Sequence, residues 1–321
     1  MPKFNIIIGI PGSGKTTFCK KFFKDVVYLS SDDMRIAMFG FEDQTHNGDV
    51  FSRMKAKTLE ALKNGRDVVY DATNLSEKRR KDIINASKKY GEVNAYILCT
   101  PISSLLERNM TRGERTLPWD KLEQMIKTIQ CPMYYEGFDN IYLVDGGMYD
   151  DVYNPADLMR ICYKFNQDNP YHKETLGEHI DMVVNNVEEM TRNMLVQDMN
   201  ISSTAAKWHD MGKLYTKQFN ETKNYYTFYG HENISTYMYF CHLVHSTSKL
   251  HISSEFTIVR LTDGKYQVAA LILNHMKFYN GSMEKVENKF NDDDLFKMLK
   301  ILHRADQEGR KSCWQALFFM I

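Results

Sequence analysis

The sequence has no excess charge of either sign: 41 Lys and Arg offset 41 Asp and Glu, and each half of the chain is close to balance. A general basic coat is therefore excluded, and any contact with nucleic acid must come from a local cluster, such as a cleft holding a strand end. There is no C-x-x-C pair among the six cysteines (Cys19, Cys99, Cys131, Cys162, Cys241, Cys313). That removes the usual sign of a zinc knuckle or redox couple and leaves reduced, buried thiols as the expectation. No run approaches the roughly 18 uninterrupted apolar residues of a membrane span, and no signal-peptide pattern precedes the first apolar run. The expectation is a cytoplasmic protein with no membrane partner. At 321 residues the chain is long against a prior of about 150 residues per domain, so two domains are expected.

The N-terminal stretch "KFNIIIGIPGSGKTTFCKKFF" reads strand, glycine loop, helix. Phe4 to Ile8 is a short β-branched run suited to a buried parallel strand, and residues 9–16 fit G-x-x-x-x-G-K-[ST]. In such a loop the backbone N–H groups of Gly12, Ser13, Gly14, Lys15, Thr16 and Thr17 close around phosphate. Lys15 reaches the β/γ oxygens of ATP and the Thr16 hydroxyl ligates Mg²⁺. Further strand-like runs, "VVYLSSDDMR", "GRDVVYDATNL" and "EVNAYILCT", end in polar residues and alternate with helical stretches near 49–64 and 76–90. This βαβα pattern predicts a mainly parallel sheet with ligands at the C-terminal strand ends.

A phosphoryl transferase must deprotonate an acceptor hydroxyl and neutralise the moving phosphoryl group. Asp32, just after a strand, fits the base, with a helix N-cap as its plain structural alternative. Arg35, one turn on, fits an acceptor-phosphate contact. Arg108, Arg112 and Arg115 in "LLERNMTRGERTLPWDKL" fit a lid over the triphosphate, against the ordinary alternative of a solvated helical face. Together "IGIPGSGKTTF", "SSDDMR", "DATNL" and "RNMTRGERTLPWDKL" resemble, in order and spacing, the 5'-kinase domain of bacteriophage polynucleotide kinase-phosphatases. That resemblance covers about residues 1–145. It implies ATP and Mg²⁺ at Lys15 and Thr16, Asp32 as general base, Arg35 on the phosphate 3' of the accepting nucleotide, and Arg108 and Arg112 as lid arginines.

After a Gly/Asp-rich stretch near 144–155, strand-like runs nearly disappear, so the expected division is a P-loop kinase-like domain over 1–150 and an all-α domain over 155–321. The second half has no repeats or low-complexity segments. Its expected helices carry His179 ("GEHID"), His209-Asp210 ("KWHDMGK"), His231 ("YGHEN"), His275 ("LNHM") and Asp306 ("RADQEG"). A helix bundle can turn these toward one point. Imidazole with carboxylate suits Mn²⁺, Co²⁺, Ni²⁺, Zn²⁺ or Mg²⁺, and Asp210 is placed to bridge two ions. A metal pair supplies hydroxide and a clamp on phosphate oxygens. Taken singly, each histidine is more often structural; His172, His242, His245, His251 and His303 are left in that class, His172 least securely because it lies just ahead of His179. Tyr225, Tyr226, Phe228 and Tyr229 are read as core or hairpin residues more often than as a base-stacking surface.

The ordered set H…HD…H…H…D resembles the HD phosphohydrolase superfamily, in particular the branch fused to CCA-adding tRNA nucleotidyltransferases. The resemblance covers about 165–310. It implies His179, His209, Asp210 and Asp306 as the core metal set, His231 and His275 as a second position with one or two ions in all, and Lys213 on the substrate phosphate, where a merely solubilising lysine is the alternative. The D-x-D-x-T signature of the phage enzymes' phosphatase is absent. The implied function is a bifunctional RNA or DNA end-healing enzyme, a 5'-hydroxyl kinase joined to a 2',3'-cyclic phosphodiesterase/3'-phosphatase, with a separate RNA ligase as a partner in prospect. The alternative is a nucleoside or nucleotide kinase joined to an HD nucleotidase. HD-kinase fusions usually place the HD domain first, so the order here departs from them.

Overall fold

The computed structural model describes residues 1–41, 45–145, 153–248, 256–280 and 283–310. Along the chain it forms β1 (Lys3–Ile8), α1 (Lys15–Phe22), β2 (Val27–Ser30), α2 (Ser31–Phe39), α3 (Asn47–Lys63), β3 (Val68–Asp71), α4 (Glu77–Ser87), β4 (Glu92–Leu98), α5 (Ile102–Met110), α6 (Trp119–Lys127) and β5 (Asn140–Asp145). These are followed by α7 (Pro155–Cys162), α8 (Leu176–Thr191), α9 (Val196–Trp208), α10 (Lys213–Thr216), β6 (Gln218–Asn220), β7 (Tyr225–Thr227), α11 (His231–Ser248), β8 (Thr257–Arg260), α12 (Asp263–Asn274), α13 (Met283–Phe290) and α14 (Asp293–Glu308). The expected linker falls largely on residues 146–152, outside the described residues, as do His251 and Cys313.

The chain divides into two compact units, residues 1–152 with 243–261, and residues 153–242 with 262–321. The expected two-part division omits this return: 243–261 packs in the first unit although it lies deep in the second half of the sequence. In that unit the sheet order is β2-β3-β1-β4-β5-β8. The first five strands run parallel, with Ile6 opposite Tyr70 and Ile7 opposite Tyr96. β1 is buried at every residue after Lys3, as a strand covered on both faces requires. β8 joins antiparallel, with Tyr142 opposite Arg260, and its sides alternate in exposure as an edge strand's do. The expectation of a helical second half missed this strand, although "FTIVR" is a β-branched run. Phe256, just ahead of it, packs with Phe18 and Phe22 at ring separations of 5.5 and 5.6 Å.

A buried ion pair braces the same unit. Arg80 Nη2 lies 2.7 Å from Glu136 Oε1, both side chains almost fully enclosed. Arg80 also donates to the carbonyls of Asn74 and Gln130 at 2.9 and 2.8 Å. A buried charge is tolerated when its donors are all satisfied this way.

Among the described residues, the regular elements of the second unit are helices apart from the β6-β7 hairpin. α12 is buried at every position from Val268 to Asn274 and forms its centre. α8 turns Leu176, Ile180, Val183 and Val187 inward at helical spacing. Its start is a capping box: the Thr175 hydroxyl accepts from the Glu178 N–H at 3.3 Å, and Glu178 Oε2 accepts from the Thr175 N–H at 2.9 Å. That cap places His179 on the buried face one turn into the helix. No helix among the described residues is long and apolar enough to cross a membrane.

Candidate active sites

In the first unit the loop after β1 wraps the start of α1. Gly12 and Gly14 take φ of 89° and 90°, a region that favours glycine. Lys15 Nζ donates to the Gly9 and Ile10 carbonyls at 3.0 and 3.2 Å. Burial lowers its pKa, against the opposing pull of Asp71 and Asp32. The Thr16 hydroxyl donates to Asp71 Oδ2 at 3.3 Å, and Tyr28 donates to the same oxygen at 2.5 Å. Burial raises the Asp71 pKa, partly countered by Tyr28, Lys15 and Thr16.

Asp71 is the last residue of β3. Its position at the end of the strand next to β1 brings it to the loop hydroxyl. A carboxylate beside the threonine of a phosphate loop is a second holder for Mg²⁺.

Asp32 lies in the first turn of α2. The N-cap there is Ser30, whose hydroxyl accepts from the Asp33 N–H at 3.2 Å, so Asp32 is not the cap. Half of its side chain is exposed, and it accepts from Arg35 Nη1 at 2.8 Å. Arg35 is buried; its Nη2 donates to Asn47 Oδ1 at 2.7 Å while its Nε has no partner among the described residues.

Arg108, on α5, donates to the Gly12 carbonyl at 3.4 Å and so lies against the phosphate loop. Arg112 acts electrostatically on Lys15 and follows the helix end, and Arg115 is exposed in the turn beyond. Asn109 staples that segment back, its amide donating to the Leu117 carbonyl at 2.9 Å and its oxygen accepting the Leu117 N–H at 3.0 Å.

In the second unit, distant helices bring six expected ligands together. His179, His209, Asp210 and Asp306 offer ligand atoms to one point, and Asp210, His231 and His275 to another. Asp210 belongs to both sets. Its Oδ2 lies 3.3 Å from His179 Nε2 and 3.4 Å from His209 Nε2; its Oδ1 lies 3.0 Å from His231 Nε2 and 3.6 Å from His275 Nε2. Asp306 Oδ1 is 3.2 Å from His179 Nε2.

Every imidazole is oriented the same way. The Nδ1 atoms of His179, His209, His231 and His275 donate to the carbonyls of Gly309, Ala206, Phe228 and Ile272 at 3.0, 2.6, 2.7 and 2.7 Å. A carbonyl cannot donate, so each Nδ1 carries the proton and each Nε2 points inward, as metal-binding histidines do. Among the described residues, the buried Nε2 atoms of His179 and His209 have no hydrogen-bond partner.

The site's electrostatics favour a cation. Burial alone would raise the Asp210 carboxyl, yet His209 and Lys213 hold it well below the usual range. Burial likewise opposes the charge on Asp306, and His179 overcomes it. Burial would lower His179, but Asp210 and Asp306 lift it to about 9. Two buried carboxylates thus stabilise positive charge between them, and the donor set of imidazole and carboxylate fits a divalent ion.

Lys213 Nζ lies 2.6 Å from Asp210 Oδ2 and donates to Gln167 Oε1 at 2.9 Å, so it is buried in the cluster rather than solvated. Gly212 makes this possible: a Cβ there would overlap the His231 carbonyl oxygen and sit 2.7 Å from the Ser235 N.

His172, left as structural in the sequence reading, also reaches the cluster. Its Nδ1 lies 2.6 Å from Glu174 Oε1, and its ring packs edge-on against His179 at 4.7 Å. Tyr279 donates to Asp306 Oδ2 at 2.7 Å, and Arg310 contacts both. The pattern Y-H-x-E ahead of the capping box was the available signal for Glu174, whereas nothing local marked Tyr279 or Arg310.

Residues 5–132 match the family model AAA_33, an AAA domain. This portion of the chain has the P-loop kinase α/β fold with a mainly parallel sheet. Over 203 residues, 59% of this chain and 78% of the relative, the protein is 25% identical to the L-seryl-tRNA(Sec) kinase of Methanococcus maripaludis. Over 175 residues it is 26% identical to the Transcription factor bHLH140 of Arabidopsis thaliana, covering 51% of this chain but 17% of that one. Among solved structures it is similar to a chain of the Pnkp1/Rnl/Hen1 RNA repair complex, at 27% identity over 40% of this chain and 43% of that one, with a TM-score of 0.36. The chain thus spans less than half the length of that neighbour. Kinase chemistry for the P-loop domain is supported by the likeness to the L-seryl-tRNA(Sec) kinase.

Proposed function

We propose that the protein is a bifunctional healer of nucleic-acid ends, RNA in the first place. The P-loop domain passes the γ-phosphoryl group of ATP to a 5'-hydroxyl, with Mg²⁺ held by Thr16 and Asp71, Asp32 as base, Arg35 on the acceptor's neighbouring phosphate, and Arg108 and Arg112 over the triphosphate. The likeness to a kinase named for an aminoacylated tRNA supports an acceptor carried on RNA.

The helical unit is read as an HD-type phosphohydrolase acting on 2',3'-cyclic phosphate or 3'-phosphate ends. The observation that carries this half is Asp210, whose two oxygens face separate histidine sets with every Nε2 turned inward. His179, His209, Asp210 and Asp306 would hold one ion and Asp210, His231 and His275 a second. Such ions supply hydroxide and charge neutralisation at phosphorus. Lys213 adds a cation beside Asp210 for a phosphate oxygen. A freestanding ATP-dependent RNA ligase would consume the product.

The test is an RNA oligonucleotide with a 5'-hydroxyl and a 2',3'-cyclic phosphate, incubated with ATP, Mg²⁺ and in turn Mn²⁺, Co²⁺ or Ni²⁺, both ends resolved by mass. Gain of a 5'-phosphate with opening or loss of the 3' phosphate is the expected result. An unchanged oligonucleotide together with phosphorylated free nucleosides would overturn it in favour of nucleotide metabolism.

A further inference from the structure

We infer that the 165–172 loop and the β6-β7 hairpin of the helical unit form a platform for single-stranded polynucleotide, feeding its 3' end to the histidine–aspartate cluster. The inference rests on the phosphohydrolase reading of that cluster and adds a binding surface to it.

Large aromatic side chains are exposed here: Tyr171 by 57%, Phe219 by 46% and Tyr229 by 66%. Tyr225 and Tyr226 are half-buried between them, and Phe228 alone of the 225–229 aromatics goes into the core. The rings fall on the two sides of the hairpin, Tyr171, Tyr225 and Tyr229 with Lys223 on one and Phe219 and Tyr226 with Lys217 on the other, and exposed rings grouped in this way call for a partner. They are also pre-positioned: Tyr171 meets Tyr225 edge-on at 5.9 Å, and Phe219 meets Tyr226 edge-on at 5.4 Å. Such a surface loses little side-chain entropy on binding.

Cations are interleaved with the rings. Lys217 Nζ sits 4.7 Å from the Tyr226 ring and 5.0 Å from that of Phe165, tied by a 2.6 Å ion pair to Asp168. Lys223 Nζ is 5.5 Å from the Tyr229 ring and bonds its hydroxyl at 2.9 Å; among the described residues no carboxylate pairs with it. Rings that stack on bases, alternating with lysines that meet phosphates, are what single strands bind without base-edge readout. The charge balance of the whole chain lacks the broad field that gripping a duplex needs.

Both segments run directly into the cluster. On one side His172, next to Tyr171, packs on His179. On the other, the Phe228 carbonyl orients His231, and the Phe228 ring lies 5.4 Å from Lys213 Nζ, itself 2.6 Å from Asp210. A strand stacked on the tyrosines therefore has its terminal phosphate directed toward the cluster.

The test compares two substrates of the full-length protein with Mn²⁺: a ten-nucleotide RNA ending in 2',3'-cyclic phosphate, and 2',3'-cyclic AMP. The double variant Tyr225→Ala/Tyr229→Ala should lower kcat/KM on the oligonucleotide about tenfold or more, since each stacked base contributes on the order of tenfold in affinity, and leave cyclic AMP hydrolysis unchanged. The Phe variants at both positions should restore oligonucleotide turnover. An equal fall on both substrates, or no fall on either, would overturn the platform. If the unsubstituted protein hydrolyses neither, the phosphohydrolase reading fails, and anisotropy with a labelled 3'-hydroxyl strand decides the platform alone: weaker binding by the Ala variant upholds it, unchanged binding overturns it.

Discussion

Asp210 Oδ1 lies 3.0 Å from His231 Nε2, while the other oxygen of the same carboxylate faces His179 at 3.3 Å. One side chain thus joins the C-terminal end of α9 to the starts of α8 and α11, and the two chemistries proposed for this protein become separable at single residues.

Asp210→Asn should remove the shared carboxylate charge, lowering bound divalent metal and cutting phosphate hydrolysis by at least about 100-fold while 5'-kinase turnover is retained. Asp32→Asn should do the reverse, losing about 10²- to 10⁴-fold of kinase turnover, the usual contribution of a general base. Both activities and the metal content of folded protein are measured side by side; joint loss from either change would sink the two-site model.

Asp71→Asn should raise the Mg²⁺ concentration for half-maximal kinase activity by about tenfold or more, because it weakens the partner of the Thr16 hydroxyl. Tyr28→Phe, which removes a hydrogen bond to the same carboxylate, should shift that midpoint far less. A Mg²⁺ titration at saturating ATP reads both.

Gly212→Ala should destabilise the helical unit by about 1–3 kcal/mol through overpacking, because the added methyl group meets the His231 carbonyl and the Ser235 backbone. Urea unfolding measures the loss, and metal affinity should fall with it because His231 must move. Gly264→Ala, where a Cβ meets nothing within 4 Å, serves as the control.

His172 provides a pH signature. Burial, with Lys213 nearby, lowers its pKa to about 4. Above the ordinary value of about 6.5 neither folded nor unfolded chain protonates it. As pH falls below that value the unfolded chain takes up a proton that the folded one does not, so stability falls until about pH 4. The loss expected over that window in chelator-treated protein is about 3 kcal/mol. Denaturant midpoints across the window should flatten in His172→Phe; an unchanged slope would assign the effect elsewhere.

Local chemistry in the sequence is enough for the phosphate loop, since glycine spacing and flanking periodicity specify strand, turn and helix within residues 4–22. The capping box of Thr175 and Glu178 is equally local, and it sets the helical phase that buries His179. Six metal-ligand candidates were legible as an ordered motif because each sits at or near a predicted helix. Their convergence, the common inward direction of Nε2 and the division of Asp210 between two histidine sets depend on carbonyls and helices distant in sequence, which only packing brings into register.

The same reason explains what was missed. β8 has four residues with alternating burial, too short to outweigh its helical surroundings until β5 offers it an edge. Asp71 became a partner of Thr16 only through the β1-β3 pairing. Ser30 takes the cap of α2, which removes the cap role from Asp32 and leaves its carboxylate beside Arg35. The sequence by itself determined the residue chemistry and the local elements, because those depend on side-chain type and short-range periodicity. Tertiary structure alone decided which charges are buried, which oxygens face which imidazoles and which tyrosines stay exposed, because these depend on long-range packing and the desolvation it imposes.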